Sequence, residues 1–193
     1  TGTYELGTVI DGTWKKFTDQ GHPHQGRITC GTESNGGFRN ISISGNVIEG
    51  CKGIALETSD GAYLEDIAIT GNTMRDIFDA PLFLRLNRRN RGPSDTERPG
   101  TLRRILISGI VSSNSDSATS SIFSGIASNL IEDVKLSNCF FGHRGLPTTI
   151  GRGTRSRPMA DWRTIRVPEQ EEGYPEVSSF GATPSNGLFI RHL

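Results

Sequence analysis

The sequence predicts an all-β fold in which short parallel strands wind into a β-helix, and three observations lead there. Gly, Ser, Thr and Asn make up 71 of the 193 residues, and Ile (18) outnumbers Leu (13). β-Branched apolar residues punctuated by turn formers favour strands over helices. The chain also repeats itself. Phe38-Arg-Asn-Ile-Ser-Ile-Ser-Gly-Asn46 returns as Leu64-Glu-Asp-Ile-Ala-Ile-Thr-Gly-Asn72, as Leu102-Arg-Arg-Ile-Leu-Ile-Ser-Gly-Ile110 and as Ile131-Glu-Asp-Val-Lys-Leu-Ser-Asn-Cys139. Finally, two strand patterns share one period: Ile28 is followed by Ile54 at the same interval that separates Ile41 from Ile67. Two columns with a common period mean that each coil of chain stacks on the one before, strand over strand at about 4.8 Å.

The first column consists of Ile28-Thr-Cys30, Ile54-Ala-Leu56 and Leu82-Phe-Leu84, and the second of the four repeats. The repeats are unevenly spaced, and the step from Leu64 to Leu102 is the longest. That gap is read as an inserted loop over residues 87–100, rich in Arg, Pro and Gly. Residues 142–187 are polar and Pro/Gly-rich and read as a long excursion that Trp162, Tyr174 and Phe180 anchor. Leu188-Phe-Ile-Arg191 then echoes Leu82-Phe-Leu-Arg85, returning the chain to the first column. A leucine-rich repeat lacks support in the Leu spacing, and a β-sandwich does not explain repeats in register. Residues 1–193 therefore read as one solenoid domain. No polar capping unit flanks Thr1 or Leu193, so the expectation is a solenoid truncated at both ends, self-associating through its uncapped coils.

Composition excludes several classes. Twenty-one Lys and Arg balance twenty-one Asp and Glu, so the chain lacks the electrostatic footprint of a nucleic-acid binder. Mean hydropathy is −0.39. No apolar run approaches the length of about 20 residues that a membrane-spanning helix needs, so none is expected. Cys30, Cys51 and Cys139 are too few and scattered for a disulfide framework or zinc site, and free buried thiols are expected. No metal and no cofactor is predicted.

Several stretches resemble the polygalacturonase family, glycoside hydrolase family 28. Gly31-Thr-Glu-Ser-Asn-Gly-Gly-Phe-Arg-Asn-Ile41 is similar to that family's GSExSGGVxNV segment. Cys51-Lys-Gly-Ile-Ala-Leu-Glu-Thr58, Asp60-Gly-Ala62, Glu65-Asp-Ile67 and Asn72-Thr-Met-Arg-Asp-Ile77 are similar to the segments that follow it. The resemblance covers residues 1–140 best. It implies a right-handed parallel β-helix, a secreted or periplasmic parent, and inverting hydrolysis of pectic polysaccharide. The family's catalytic aspartates precede its Gly-His-Gly motif, and the chain is expected to lack them. Tyr4 or Gln25, with His22 and His24 nearby, are the nearest counterparts of the histidine. Ala55 and Glu57 stand where the family has an Arg-x-Lys pair for a uronate carboxylate. Glu57 would repel that carboxylate, which favours a neutral sugar or an unusual pectic side chain.

Residues pointing outward from the first column are the candidate groove floor. Glu57 and Arg85 lie one coil apart, and a carboxylate beside a guanidinium can clamp a sugar diol. Phe83 is placed to stack on a sugar ring, and Arg27 completes the candidate substrate-binding set. Asp11 and Glu33 are the candidate catalytic carboxylates, since inversion needs two about 6.5–9.5 Å apart; Asp-Gly is also a turn signal at Asp11. The basic run from Arg85 to Arg104 reads mainly as solvated loop arginines. Two other functions suit the same fold: a saccharide-binding β-helix without catalysis, and a polysaccharide lyase.

Overall fold

The computed structural model describes residues 7–10, 13–16, 26–89, 91, 98, 100–115, 120–144, 177–180 and 188–193. The strands are β1 (Gly7–Ile10), β2 (Thr13–Lys16), β3 (Ile28–Cys30), β4 (Phe38–Ser44), β5 (Val47–Glu49), β6 (Ile54–Thr58), β7 (Tyr63–Thr70) and β8 (Thr73–Arg75). There follow β9 (Leu82–Leu86), β10 (Thr101–Ser108), β11 (Val111–Ser115), β12 (Ser121–Ser124), β13 (Glu132–Ser137), β14 (Phe140–His143) and β15 (Leu188–Arg191). A short 3-10 turn covers Val177–Phe180. The described chain is all-β, with no α-helix.

Apart from the antiparallel pair β1–β2, the strands form three parallel sheets. The first holds β3, β6, β9, β12 and β15, the second β4, β7, β10 and β13, the third β5, β8, β11 and β14. From β3 onward the chain visits first, second and third sheet in turn, and neighbours within a sheet lie one circuit apart. This arrangement is compatible with a parallel β-helix. Both expected ladders are present: Ile28, Ile54 and Leu82 are in register, as are Ile41, Ile67, Ile105 and Val134. The third sheet was not expected as a sheet, because its strands contribute only one or two inward residues each, such as Ile48 and Met74.

Inward Ile43, Ile54, Leu56, Leu64, Ile67, Ile69, Met74, Leu82, Leu84, Ile105 and Ile107 form one apolar core between the sheets. All three cysteines are free; Cys30 is buried in this core, and Cys51 and Cys139 pack half-buried against it. Burial pushes the Cys30 thiol pKa up.

Corners form where the backbone turns left-handed. In the second sheet Asn40, Asp66, Arg104 and Asp133, all with φ between 53° and 59°, occupy equivalent positions. There the inward phase slips: Leu64 and Ile67 both face the core although an odd step separates them. One left-handed residue takes up that step, and Asn and Asp tolerate the conformation better than most residues. A second column, Gly45, Gly71, Gly109 and Asn138, opens the two-residue corner between second and third sheets in every circuit. The second residue of that corner is Asn46 or Asn72 in the first two circuits. The Asn72 side-chain amide donates to Ile43 O at 2.9 Å, and its Oδ1 accepts from Asn46 N and Asn46 Nδ2 at 3.0 and 2.9 Å. This ladder has two rungs, because Ile110 and Cys139 follow at the same place.

Residues 87–100 lie between β9 and β10, where the sequence expects the inserted loop. β14 covers Phe140–His143, so residues 142 and 143, expected to open the long excursion, belong to a strand. Most of residues 145–187 lie outside the described residues.

Asn72 is fully buried, and its amide holds two adjacent circuits. Asn72→Ala strands Ile43 O and Asn46 N, and an unsatisfied buried group costs about 1–3 kcal/mol. Urea unfolding is expected to show a lower midpoint at unchanged m-value. An unchanged midpoint would show that the ladder carries no stability.

Candidate functional site

The outward face of the first sheet carries two rows in register. One is apolar: Ala55, Phe83, Ile122 and Phe189. The other is polar: Glu57, Arg85, Ser124 and Arg191. Parallel pairing brings together residues that are far apart in sequence. Gly31, just after β3, lets the chain pass close along the β6 backbone, since a Cβ there would fall 1.9 Å from Glu57 O.

This face is not an open groove floor. Glu57, Phe83 and Arg85 are 5%, 1% and 3% exposed. Ala55, Phe83 and Ile122 pack with Ala80, Val177 and Phe180 into a second apolar cluster, with Phe189 at its margin. The sequence also allows Phe83 to pack beneath the 87–100 loop instead of stacking on a sugar; the structure covers it, but with Val177 and Phe180.

The charged residues of this face are tied to partners. Arg27 donates from Nη1 to Glu57 Oε1 at 3.1 Å and from Nη2 to Asp79 Oδ2 at 3.2 Å. One guanidinium thus bridges two carboxylates, and Asp79, absent from the sequence-based set, joins the candidate site. Its other oxygen accepts from the Ala80 backbone N–H. The Arg27 and Asp79 side chains are 12% and 17% exposed, so this group has access to solvent. Glu57 and Arg85 are register partners, as expected. Arg85 Nη1 donates to Ser124 Oγ at 2.8 Å and to the carbonyls of Ser124 and Gly125, and its guanidinium lies 5.1 Å from the Phe180 ring centre.

A second polar group gathers just beyond the ends of β3, β6 and β9. Arg89 donates from Nε and Nη2 to the Asp60 carboxylate, and the Arg91 backbone N–H donates to the same group. Burial pushes the Asp60 carboxyl pKa up, but the Arg89 hydrogen bond and the Arg91 N–H outweigh it and hold it low. Glu33 stands 3.7 Å from both Arg89 and Arg91 and is 66% exposed. The structure therefore brings Glu33 into a salt-bridge network. Asp11, Tyr4, His22, His24 and Gln25 lie outside the described residues.

The basic run is solvated in part: Arg88, Arg91 and Arg98 are exposed, as expected, whereas the Arg85 and Arg89 side chains are buried. Arg85 and Arg89 are engaged as above, Arg98 donates to Gly61 O, and Arg103 and Arg104 converge with Arg39 on Glu65 in the second sheet. The buried Glu65 carboxylate accepts from Arg39 at 2.8 Å, Arg104 at 2.9 Å and Thr101 at 2.9 Å. Arg103 Nε is 2.9 Å away but off the line of a hydrogen bond. Arg39 also covers the Tyr63 ring at 4.8 Å. Residue type gave no warning that one Glu would collect cations from neighbouring circuits; only the register does that.

Among the described residues no group of three His, Cys, Asp or Glu side chains could hold a metal ion. Comparison with family models, with curated proteins and with solved structures finds no match.

Burial pushes the Glu65 carboxyl up, but hydrogen bonds from Thr101, Arg39 and Arg104 outweigh it and hold its pKa at about 2, against 4.5 for a free side chain. A depressed folded pKa gives stability that is complete above about pH 4.5 and lost as pH falls toward 2. Glu65→Gln is expected to lower stability at pH 7 by about 1–3 kcal/mol, the lower part of that range because the arginines are partly solvated. It should also flatten the pH dependence of urea unfolding between pH 4.5 and 2. An unaltered acid slope would remove Glu65 as its source.

Proposed function

We propose that the chain is a right-handed parallel β-helix belonging to a polygalacturonase-like glycoside hydrolase of a secreted or periplasmic parent, and that it grips a pectic-type saccharide at Arg27, Glu57 and Asp79. The observation that carries this reading is the single guanidinium bridging two carboxylates on the outward face of a parallel sheet. Such a group offers donors and acceptors side by side, which is what a sugar diol requires. The cyclic order of the three sheets supports the β-helix. The polygalacturonase-like segments Gly31–Ile41 and Cys51–Ile67 fall on successive circuits of it.

The same geometry argues for gripping over proton transfer. Hydrolysis needs a carboxylic acid to protonate the leaving oxygen. Glu57 and Asp79 share Arg27, Asp60 faces Arg89, and Glu65 is surrounded by arginines. Cations beside a carboxylate favour its ionised form. The candidates for the proton donor within this chain are then Glu33 and Asp11, the latter outside the described residues. The two negative charges around Arg27 against its one positive favour a neutral sugar over a uronate at this point. A second reading, saccharide binding without hydrolysis, draws on the same pairing of every carboxylate at the site. The lyase reading gains nothing from it.

The full chain is expected to bind arabinotriose more tightly than trigalacturonate in calorimetric titration. Asp79→Asn should weaken binding about tenfold, equivalent to about 1.4 kcal/mol. Reducing-sugar release from arabinan or rhamnogalacturonan that vanishes in Asp11→Asn puts catalysis within this chain, against the expectation that it lacks the family's catalytic aspartates; binding without release agrees with that expectation and with the second reading alike. Absence of binding to either oligosaccharide would sink both.

A further inference from the structure

The outward face of the third sheet carries an apolar row of its own, and this one is bare. Val47, Thr73, Val111 and Phe140 stand in register on β5, β8, β11 and β14. Val47, Val111 and Phe140 are 80%, 47% and 62% exposed, and Thr73 is exposed between them. On the first sheet the apolar row lies under Val177 and Phe180; among the described residues nothing lies over this one. Single apolar side chains on a surface need no explanation, whereas a continuous strip marks a contact surface. The Phe140 ring is also held to the sheet. It lies over Gly142, where a Cβ would stand 3.3 Å from its Cε1, so a side chain at 142 would crowd it. A polar row runs beside the apolar one, with Glu49, Arg75 and Ser113 in register and Gly142 two residues beyond Phe140. Glu49 and Arg75 pair with each other, their side chains half-exposed or more. The two rows are graded in opposite senses. The apolar row has its ring on the last circuit, and the polar row has its long charged side chains on the first two.

We propose that this face docks on the same face of a second copy, about a two-fold axis parallel to the strands. That rotation reverses the order of the circuits and keeps the order along each strand, so each row lies on its own counterpart. Phe140 meets the partner's Val47, and Val111 meets the partner's Thr73. Glu49 and Arg75 come over the last two circuits opposite, where the partner's Ser113 and the partner's Gly142 carry no charge. No charge meets its like, and no ion pair is covered by an apolar row. A two-fold axis along the solenoid lays the apolar row on the charged one instead, and desolvating an ion pair against carbon is costly. The face is small. Strands about 4.8 Å apart and residues about 3.3 Å apart give four strands of three residues a face of roughly 200 Å². A standard interface buries ~800 Å² per partner, so this pair is a transient one that forms at high concentration. The docking face shares no residue with the candidate saccharide site and is independent of it.

Sedimentation equilibrium of the full chain from about 10 µM to about 1 mM is expected to show a monomer–dimer equilibrium that stops at the dimer. Val47→Asp and Phe140→Lys, both at exposed positions, should each raise the dissociation constant about tenfold or more. Mixing these two variants should restore association, because the two-fold axis sets the new carboxylate of one against the new ammonium of the other. Urea unfolding checks that each variant is folded; Thr73→Lys, in the same exposed row, replaces either one in the dilution series if it is not. A chain that stays monomeric at about 1 mM, a dimer that neither variant weakens, or a mixture that restores nothing overturns the proposal. Oligomers that grow beyond the dimer also overturn it, since they put association at the open coils and not on the third sheet.

Discussion

Parallel pairing between successive circuits is the constraint on which the rest of the molecule depends. Each strand must meet its neighbour one circuit later at the same register, or every side chain changes face. The chain satisfies this with left-handed corners stacked in columns, not with identical sequence. Gly fills most of one column, Asn and Asp most of another, and Arg104 enters the second although that backbone conformation disfavours it. Arg104 is also hydrogen-bonded to both Glu65 and Asp66. Ion pairing and corner geometry therefore meet at one position, each keeping the other in place.

The same register creates the candidate site. Arg27, Glu57 and Asp79 come from three separate stretches of the chain, yet one guanidinium reaches both carboxylates. The price of this construction is desolvation, since Glu57 and Arg85 are almost fully covered. Buried charges persist only with partners in good geometry, and here each has them. The result is a face built to hold position, rich in fixed donors and acceptors and poor in groups ready to give up a proton.

Much of this was legible in the sequence. The repeats determine which strands pair and in what register, and Ile28–Ile54–Leu82 and Ile41–Ile67–Ile105–Val134 follow directly from spacing. Two things were not legible, for physical reasons. The third sheet has strands too short for alternation to stand out from a turn, three residues each in β5 and β8. Burial of the outward row depends on Val177 and Phe180, far along the chain, and nothing local to Phe83 or Arg85 distinguishes a covered face from an open one. Asp79 was overlooked because it sits between β8 and β9, outside any strand pattern. The Asn40, Asp66 and Asp133 corners were present as a signal, the recurring acid or amide before the apolar alternation. Without the backbone angles, nothing separates such a residue from any other exposed polar side chain.

The two-residue corner between second and third sheets has one further consequence. It never varies: Gly45-Asn46, Gly71-Asn72, Gly109-Ile110 and Asn138-Cys139 are all of one length, whereas the connections on either side of the first sheet differ from circuit to circuit. One edge of the molecule is thus a spine and the opposite face a margin. Residues added or lost along the margin change what surrounds the first sheet while the spine keeps count of the circuits. A lineage carrying this scaffold can rewrite the surroundings of the first sheet by insertion and deletion alone, without renegotiating a single strand pair. The spine, in turn, is where even one extra residue would throw every later circuit out of step.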